Sequence, residues 1–229
     1  LRGFDFAHAL RITQELGIAN WESYSAHIPP DAALAAGNRS AASAAGVRVG
    51  GFGVIPFGGD ADANRKFFTF GRALGIDYFS ADPAPESFAS LDRLVEEYGI
   101  AVGIHNHGPG HAYATIASIQ KAIEGHHPRI GCCIDTGHFL RAGEDPVRAV
   151  EVFGERIYGV HLKDVKAGKD VLLGQGELRL YDFLAALAER KYRYCLALEY
   201  EENEKAPQAE IRGCLEAARE VCARLRKTG

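Results

Sequence analysis

Residues 130–165 read IGCCIDTGHFLRAGEDPVRAVEVFGERIYGVHLKDV. An apolar run closes on Asp135-Thr136-Gly137-His138, an amphipathic segment follows, and a second apolar run closes on His161-Leu162-Lys163-Asp164. That order is strand, helix, strand, with the reactive side chains at the far end of each strand. In a parallel α/β protein those ends face the same way, so the two clusters meet. Asp135 and His161 are an oxygen and a nitrogen ligand of the kind a divalent metal takes. The stretch reads as half of a metal site at the mouth of a barrel.

Working outward, the same unit repeats. Strands are expected at 20–25, 47–57, 76–82 and 100–107 before the central stretch, and at 194–200 after it. Helices are expected between them at 4–16, 31–45, 60–74, 87–98, 114–124, 145–153 and 180–189, with a closing helix at 209–227. Uniform β–α alternation argues for a parallel sheet, and eight such units close a barrel. The expected fold is therefore a (β/α)8 TIM barrel whose first strand is truncated or missing, because the chain opens directly in a helix. A doubly wound open sheet ranks second, since no G-x-G-x-x-G follows any strand.

At 229 residues and 47% hydrophobic the chain fits a single domain over residues 1–229, and such barrels need about 200 residues or more. A net charge of −4 argues against a nucleic-acid partner, and no apolar run approaches the roughly 20 residues of a membrane span. Five cysteines without a C-x-x-C pair suit a reducing, cytoplasmic setting. The chain begins Leu1-Arg2-Gly3 and contains no methionine, which leaves a cleaved signal peptide and export open.

Side chains alternate along a strand, so residues two apart share a face. His105 and His107 share one face, as do Ser80 and Asp82; Glu22 lies between Asn20 and Tyr24, and Glu199 ends an apolar run. Every expected strand except the glycine-rich one thus delivers a polar residue to its C-terminal end. Barrel interiors are filled by apolar layers, and polar groups belong at the catalytic mouth. Each residue also has a plainer reading. Asp135 caps the next helix, Lys163 pairs with Asp164, and Glu199 joins Glu201, Glu202 and Glu204 in a solvated acidic loop. His8, His27, His126 and His127 receive no role.

The motifs IDTGH, HLKD, LGQG and a final LALEYE occur together and in this order. The combination resembles the xylose isomerase-like barrel superfamily, in its sugar phosphate isomerase/epimerase branch, which includes inosose dehydratases. The resemblance implies one divalent metal ion (Mn, Mg, Co or Zn), a small-molecule sugar or keto-sugar as partner, and a homodimer. By position it implies Asp135, His161 and Glu199 as ligands, with His105 as the fourth. Many relatives carry Glu in an E-N-H context where this chain has His105-Asn106-His107, so a symmetric two-carboxylate epimerisation loses one member. His107 is then the fourth ligand or the base.

The implied chemistry is a metal-stabilised enediolate, leading to isomerisation, epimerisation or elimination. Glu199, His107, Lys163 and His138 are the catalytic candidates, and Glu22, Asp82, His107 and Lys163 the substrate-binding ones. Two other functions compete. One is a non-catalytic metal- or sugar-binding barrel. The other is an apurinic endonuclease-like hydrolase, for which the chain lacks a further D-x-H ligand pair after His161.

Overall fold

The structure is a computed structural model and describes residues 1–228. Its elements run α1 Phe6–Glu15, β1 Asn20–Ser23, α2 Ala32–Ala44, β2 Arg48–Ile55, α3 Ala61–Leu74, β3 Tyr78–Ala81, α4 Phe88–Tyr98, β4 Ala101–His105 and α5 Ile116–Ile123. Then come β5 Ile130–Asp135, α6 Thr136–Arg141, α7 Pro146–Phe153, β6 Ile157–Leu162, β7 Asp164–Lys166, β8 Lys169–Val171, α8 Leu180–Glu189, β9 Leu196–Leu198 and α9 Gln208–Thr228.

Seven strands form one sheet in the order β1-β2-β3-β4-β5-β6-β9, every neighbouring pair parallel. This is a nearly closed, TIM-barrel-like sheet. Its edge strands, β1 and β9, are not hydrogen-bonded to each other. The four central strands, β3 to β6, are buried at every position, as expected where a sheet is covered on both faces. Outside, helices pack apolar stripes against the sheet through Phe68, Leu91, Ile119, Val150 and Phe183.

Local chemistry sets the helix starts. Asp5, Asp31, Asp60 and Asp145 each accept a backbone N–H from the first turn that follows, and Pro146 adds its fixed φ at the start of α7. Helices α3 and α4 stop at Gly75 and Gly99, both left-handed.

Two expected strand bounds need correction. The strand expected to reach His107 ends at His105, and the strand expected over 194–200 pairs only at Leu196–Leu198. His107 therefore lies in a loop, where strand alternation no longer fixes its direction. The short helix α6 and the antiparallel ribbon β7–β8 were not expected. Both are too brief to leave a periodic pattern.

Candidate active site

Register brings the strand ends to one level. Asp135 pairs directly with His161 across β5 and β6, His105 pairs with Cys133, and Glu199 donates its N–H to Leu162 O just beyond the Leu162–Leu198 pair. One ligand atom each from His105, Asp135, His161 and Glu199 consequently lies within 4.8 Å of the others. Nε2 of His105 is 3.0 Å from Nδ1 of His161, which is 3.0 Å from Oε2 of Glu199. Oδ2 of Asp135 is 3.6 Å from the His105 ring nitrogen. Oδ2 of Asp135 and Oε2 of Glu199 are buried without a hydrogen-bond partner among the described residues.

Buried carboxylate oxygens ordinarily find hydrogen-bond donors, and these two meet only ion-pair contacts, 3.0 Å from His161 and 3.6 Å from His105 and Lys163, which suits a cation between them. A mixed nitrogen and oxygen donor set fits a borderline divalent metal. The four residues therefore fit such an ion.

The backbone that carries these candidates is braced. Asn106 donates from its side chain to Asp135 O at 2.9 Å and accepts Asp135 N–H at 2.7 Å. Oδ1 of Asp135 caps α6 by accepting the His138 N–H at 2.7 Å, so one carboxylate both caps a helix and presents its other oxygen to the site. Thr136 donates to Lys163 O and accepts Lys163 N–H, tying the two strand ends together.

Charges in the site are strongly perturbed. Burial pushes Asp135 upward, but His105 and Lys163 outweigh it and hold the carboxyl well below the usual range. Glu199 is likewise pushed up by burial and pulled down, chiefly by His161, to about 2. Burial works against a charge on His161, yet Cys133, Glu22 and Glu199 raise it well above the ordinary imidazole value. Lys163 is 3% exposed, with Nζ 2.5 Å from Glu201 and 3.6 Å from both Asp135 and Glu199.

Glu201 is therefore not part of a solvated loop. It pairs with Lys163 and, at 2.5 Å, with Arg2, which also meets Glu199 at 3.0 Å. Nor does Lys163 pair with Asp164. Each oxygen of Asp164 accepts two backbone N–H groups, from Val165 and Leu178 at Oδ1 and from Gly174 and Gly176 at Oδ2. The HLKD and LGQG motifs thus form one structural unit, an aspartate that organises the loop.

The histidines form a continuous cluster. The His105 ring centroid is 4.8 Å from those of His107 and His161 and 5.8 Å from that of His138, and His107 is 5.9 Å from His138. Nε2 of His107 and Nδ1 of His138 are buried without partners among the described residues. Burial, then the neighbouring histidines, lowers His107 to about 4. Burial also lowers His138.

Asp82 lies 3.8 Å from His107 and 3.3 Å from His111, a histidine that strand reasoning missed because it sits in a loop. His111 accepts the Tyr113 N–H at Nδ1, so in its neutral form its Nε2 carries hydrogen toward Asp82. The pair reads as an ordinary contact at the rim. Glu22, expected to hold substrate, is 6% exposed in its side chain and has both oxygens bonded within the protein, to Tyr78, Ser80 and His161.

A cavity of 550 Å³ lies between the two edge strands, β1 and β9, which are not paired to each other. Glu22, His161 and Glu199 lie on its wall beside Trp21, Leu198 and Ile211. No helix among the described residues is long and apolar enough to cross a membrane.

Among proteins of known sequence, inosose dehydratase from Bacillus cereus is 30% identical over 98 residues, which cover 42% of this chain and 33% of that protein. Inosose dehydratase from Clostridium tetani is 29% identical over 133 residues, 49% of this chain and 44% of that one. The chain thus spans less than half the length of these curated relatives. Among solved structures, a putative uncharacterized protein from Parabacteroides distasonis superposes with a TM-score of 0.74 at 26% identity, covering 96% of this chain and 95% of that one. The family model described as Xylose isomerase-like TIM barrel matches residues 81–219, which include the four converging ligand candidates. The chain belongs to the xylose isomerase-like TIM barrel family.

Proposed function

We propose that this chain is a divalent-metal-dependent enzyme that removes a proton beside the carbonyl of a sugar or keto-sugar, and that elimination of water follows. The observation carrying this reading is the convergence of His105, Asp135, His161 and Glu199 around two carboxylate oxygens that lack hydrogen bonds. A manganese, magnesium, cobalt or zinc ion held by those four would supply Lewis acidity toward a carbonyl and its neighbouring hydroxyl.

The remaining steps belong to side chains of the chain itself. His107 is held unprotonated at neutral pH, and its unpartnered Nε2 is free to take the proton from the carbon next to the carbonyl. Lys163, fixed by three carboxylates, supplies a permanent positive charge where negative charge develops on substrate oxygen. His138 lies beside His105 and His107 and burial lowers it as well, so the proton that leaves with the departing hydroxyl is the one His107 has taken up. Elimination needs one base and one acid, whereas symmetric epimerisation needs two opposed carboxylates. The imidazole of His105 at the end of β4 favours the former.

The likeness to inosose dehydratases supports this reading over the 98 and 133 residues matched. Superposition on an L-ribulose 3-epimerase at 18% identity and a TM-score of 0.76, covering 97% of this chain and 90% of that one, speaks only to the fold. The test is to incubate the manganese-loaded protein in D2O with a panel of inososes and ketoses. Metal-dependent loss of water is expected for a cyclic keto-polyol, with deuterium entering the carbon that loses its hydroxyl. A protein that takes up the metal but exchanges no proton on any member of the panel is a binder, and the catalytic reading fails.

A further inference from the structure

His161 uses both ring nitrogens. Nδ1 faces His105 and Glu199, while Nε2 lies 2.8 Å from Oε1 of Glu22. Glu22 is held in turn by two hydroxyl groups from β3. Ser80 donates to Oε1 at 2.5 Å, and Tyr78 donates to Oε2 at 2.5 Å. With a hydroxyl proton on each of its oxygens, the carboxylate acts only as an acceptor, so the hydrogen in the remaining contact sits on Nε2 of His161.

Glu22 lies on β1, and the hydroxyls come from β3, so β2 stands between them. The glycines of β2 make the crossing possible. A Cβ on Gly51 would stand 2.4 Å from the Tyr78 ring, and one on Gly53 would stand 2.0 Å from Ser80 Oγ. The strand that brings no polar side chain to its C-terminal end is thus the gap through which its neighbour reaches Glu22.

We infer that Glu22 is a positioning residue: with Tyr78 and Ser80, reaching across Gly51 and Gly53, it keeps the hydrogen of His161 on Nε2 and presents the Nδ1 lone pair to a metal ion. This rests on the proposed metal site and goes beyond it by assigning the group that orients one ligand. Outer partners of this kind fix the tautomer and ring direction of a ligating imidazole, and their loss lowers metal affinity by about 10- to 100-fold.

The experiment uses the full chain and zinc alone, with two readouts. Competition against a chromophoric chelator gives the zinc affinity of the wild type, Glu22→Gln and Ser80→Ala. The 15N–1H spectrum of histidine-labelled, zinc-loaded wild type gives the tautomer of His161. The expected results are Nε2–H on His161, a loss in affinity of about 10- to 100-fold in folded Glu22→Gln, and a smaller loss in Ser80→Ala. Unchanged affinity in folded Glu22→Gln, or a hydrogen on Nδ1 of His161, overturns the inference while leaving the metal site standing. A wild type that holds no zinc removes both. Should Glu22→Gln fail to fold, the wild-type tautomer and Ser80→Ala decide the matter.

Discussion

Two aspartates close the two arms of residues 130–165, and they differ in one respect. Asp135 and Asp164 are 0% and 1% exposed. Asp164 is saturated, with two backbone N–H groups on each oxygen. Asp135 takes one N–H on Oδ1 and none on Oδ2. A saturated buried carboxylate builds structure. One left short of partners, beside other donors equally short, is arranged for something that arrives from outside.

The contrast can be broken by exchanging amides for acids. Asp164→Asn places an NH2 group among backbone donors and removes acceptors from a buried loop, so unfolding in urea should show a loss of about 4 kcal/mol. Asp135→Asn keeps the capping oxygen and should change stability far less. Its zinc affinity, however, should fall by more than the roughly 100-fold typical of outer partners. If both variants lose stability alike, or both lose metal alike, the distinction between the two aspartates is wrong.

Much of this was legible in residues 130–165. The β–α alternation placed seven strands, and Asp135 and His161 lie opposite each other in the parallel register. Their neighbours were legible only in part. The pattern identified Glu22 as a strand-end carboxylate but not where it faces, because that depends on a register shift between Trp21 and Glu22 and on side chains crossing β2. Glu201 read as a solvated acid because its partners, Arg2 and Lys163, are far away in sequence. Asn106 has no period to betray it, since its two bonds to Asp135 are a tertiary contact. His111 lies in a loop, where spacing carries no direction.

Two smaller effects sharpen the comparison. Gly53→Ala should cost about 1–3 kcal/mol by crowding Ser80, and it should weaken zinc binding through Glu22 although the atoms the new Cβ meets belong to Ser80 and not to a ligand candidate. Gly46→Ala, at a left-handed turn with open space around it, should leave zinc binding untouched and so serves as the control. The smallest effect concerns pH. His107 is held at about 4 in the folded chain, so between the ordinary imidazole value and 4 the unfolded chain binds the proton that the folded one refuses. Stability is therefore full above that window and declines as pH falls through it. In the presence of a chelator, the urea midpoint of the wild type should drop more between pH 7 and pH 5 than that of His107→Gln.

The central claim is that four strand-end residues hold one divalent ion. The most direct measurement is a zinc- or manganese-soaked crystal, with the anomalous signal used to locate the metal. One ion per chain is expected, bonded to Nε2 of His105, Oδ2 of Asp135, Nδ1 of His161 and Oε2 of Glu199. An ion bound elsewhere, or a site that stays empty at saturating metal, would contradict the account.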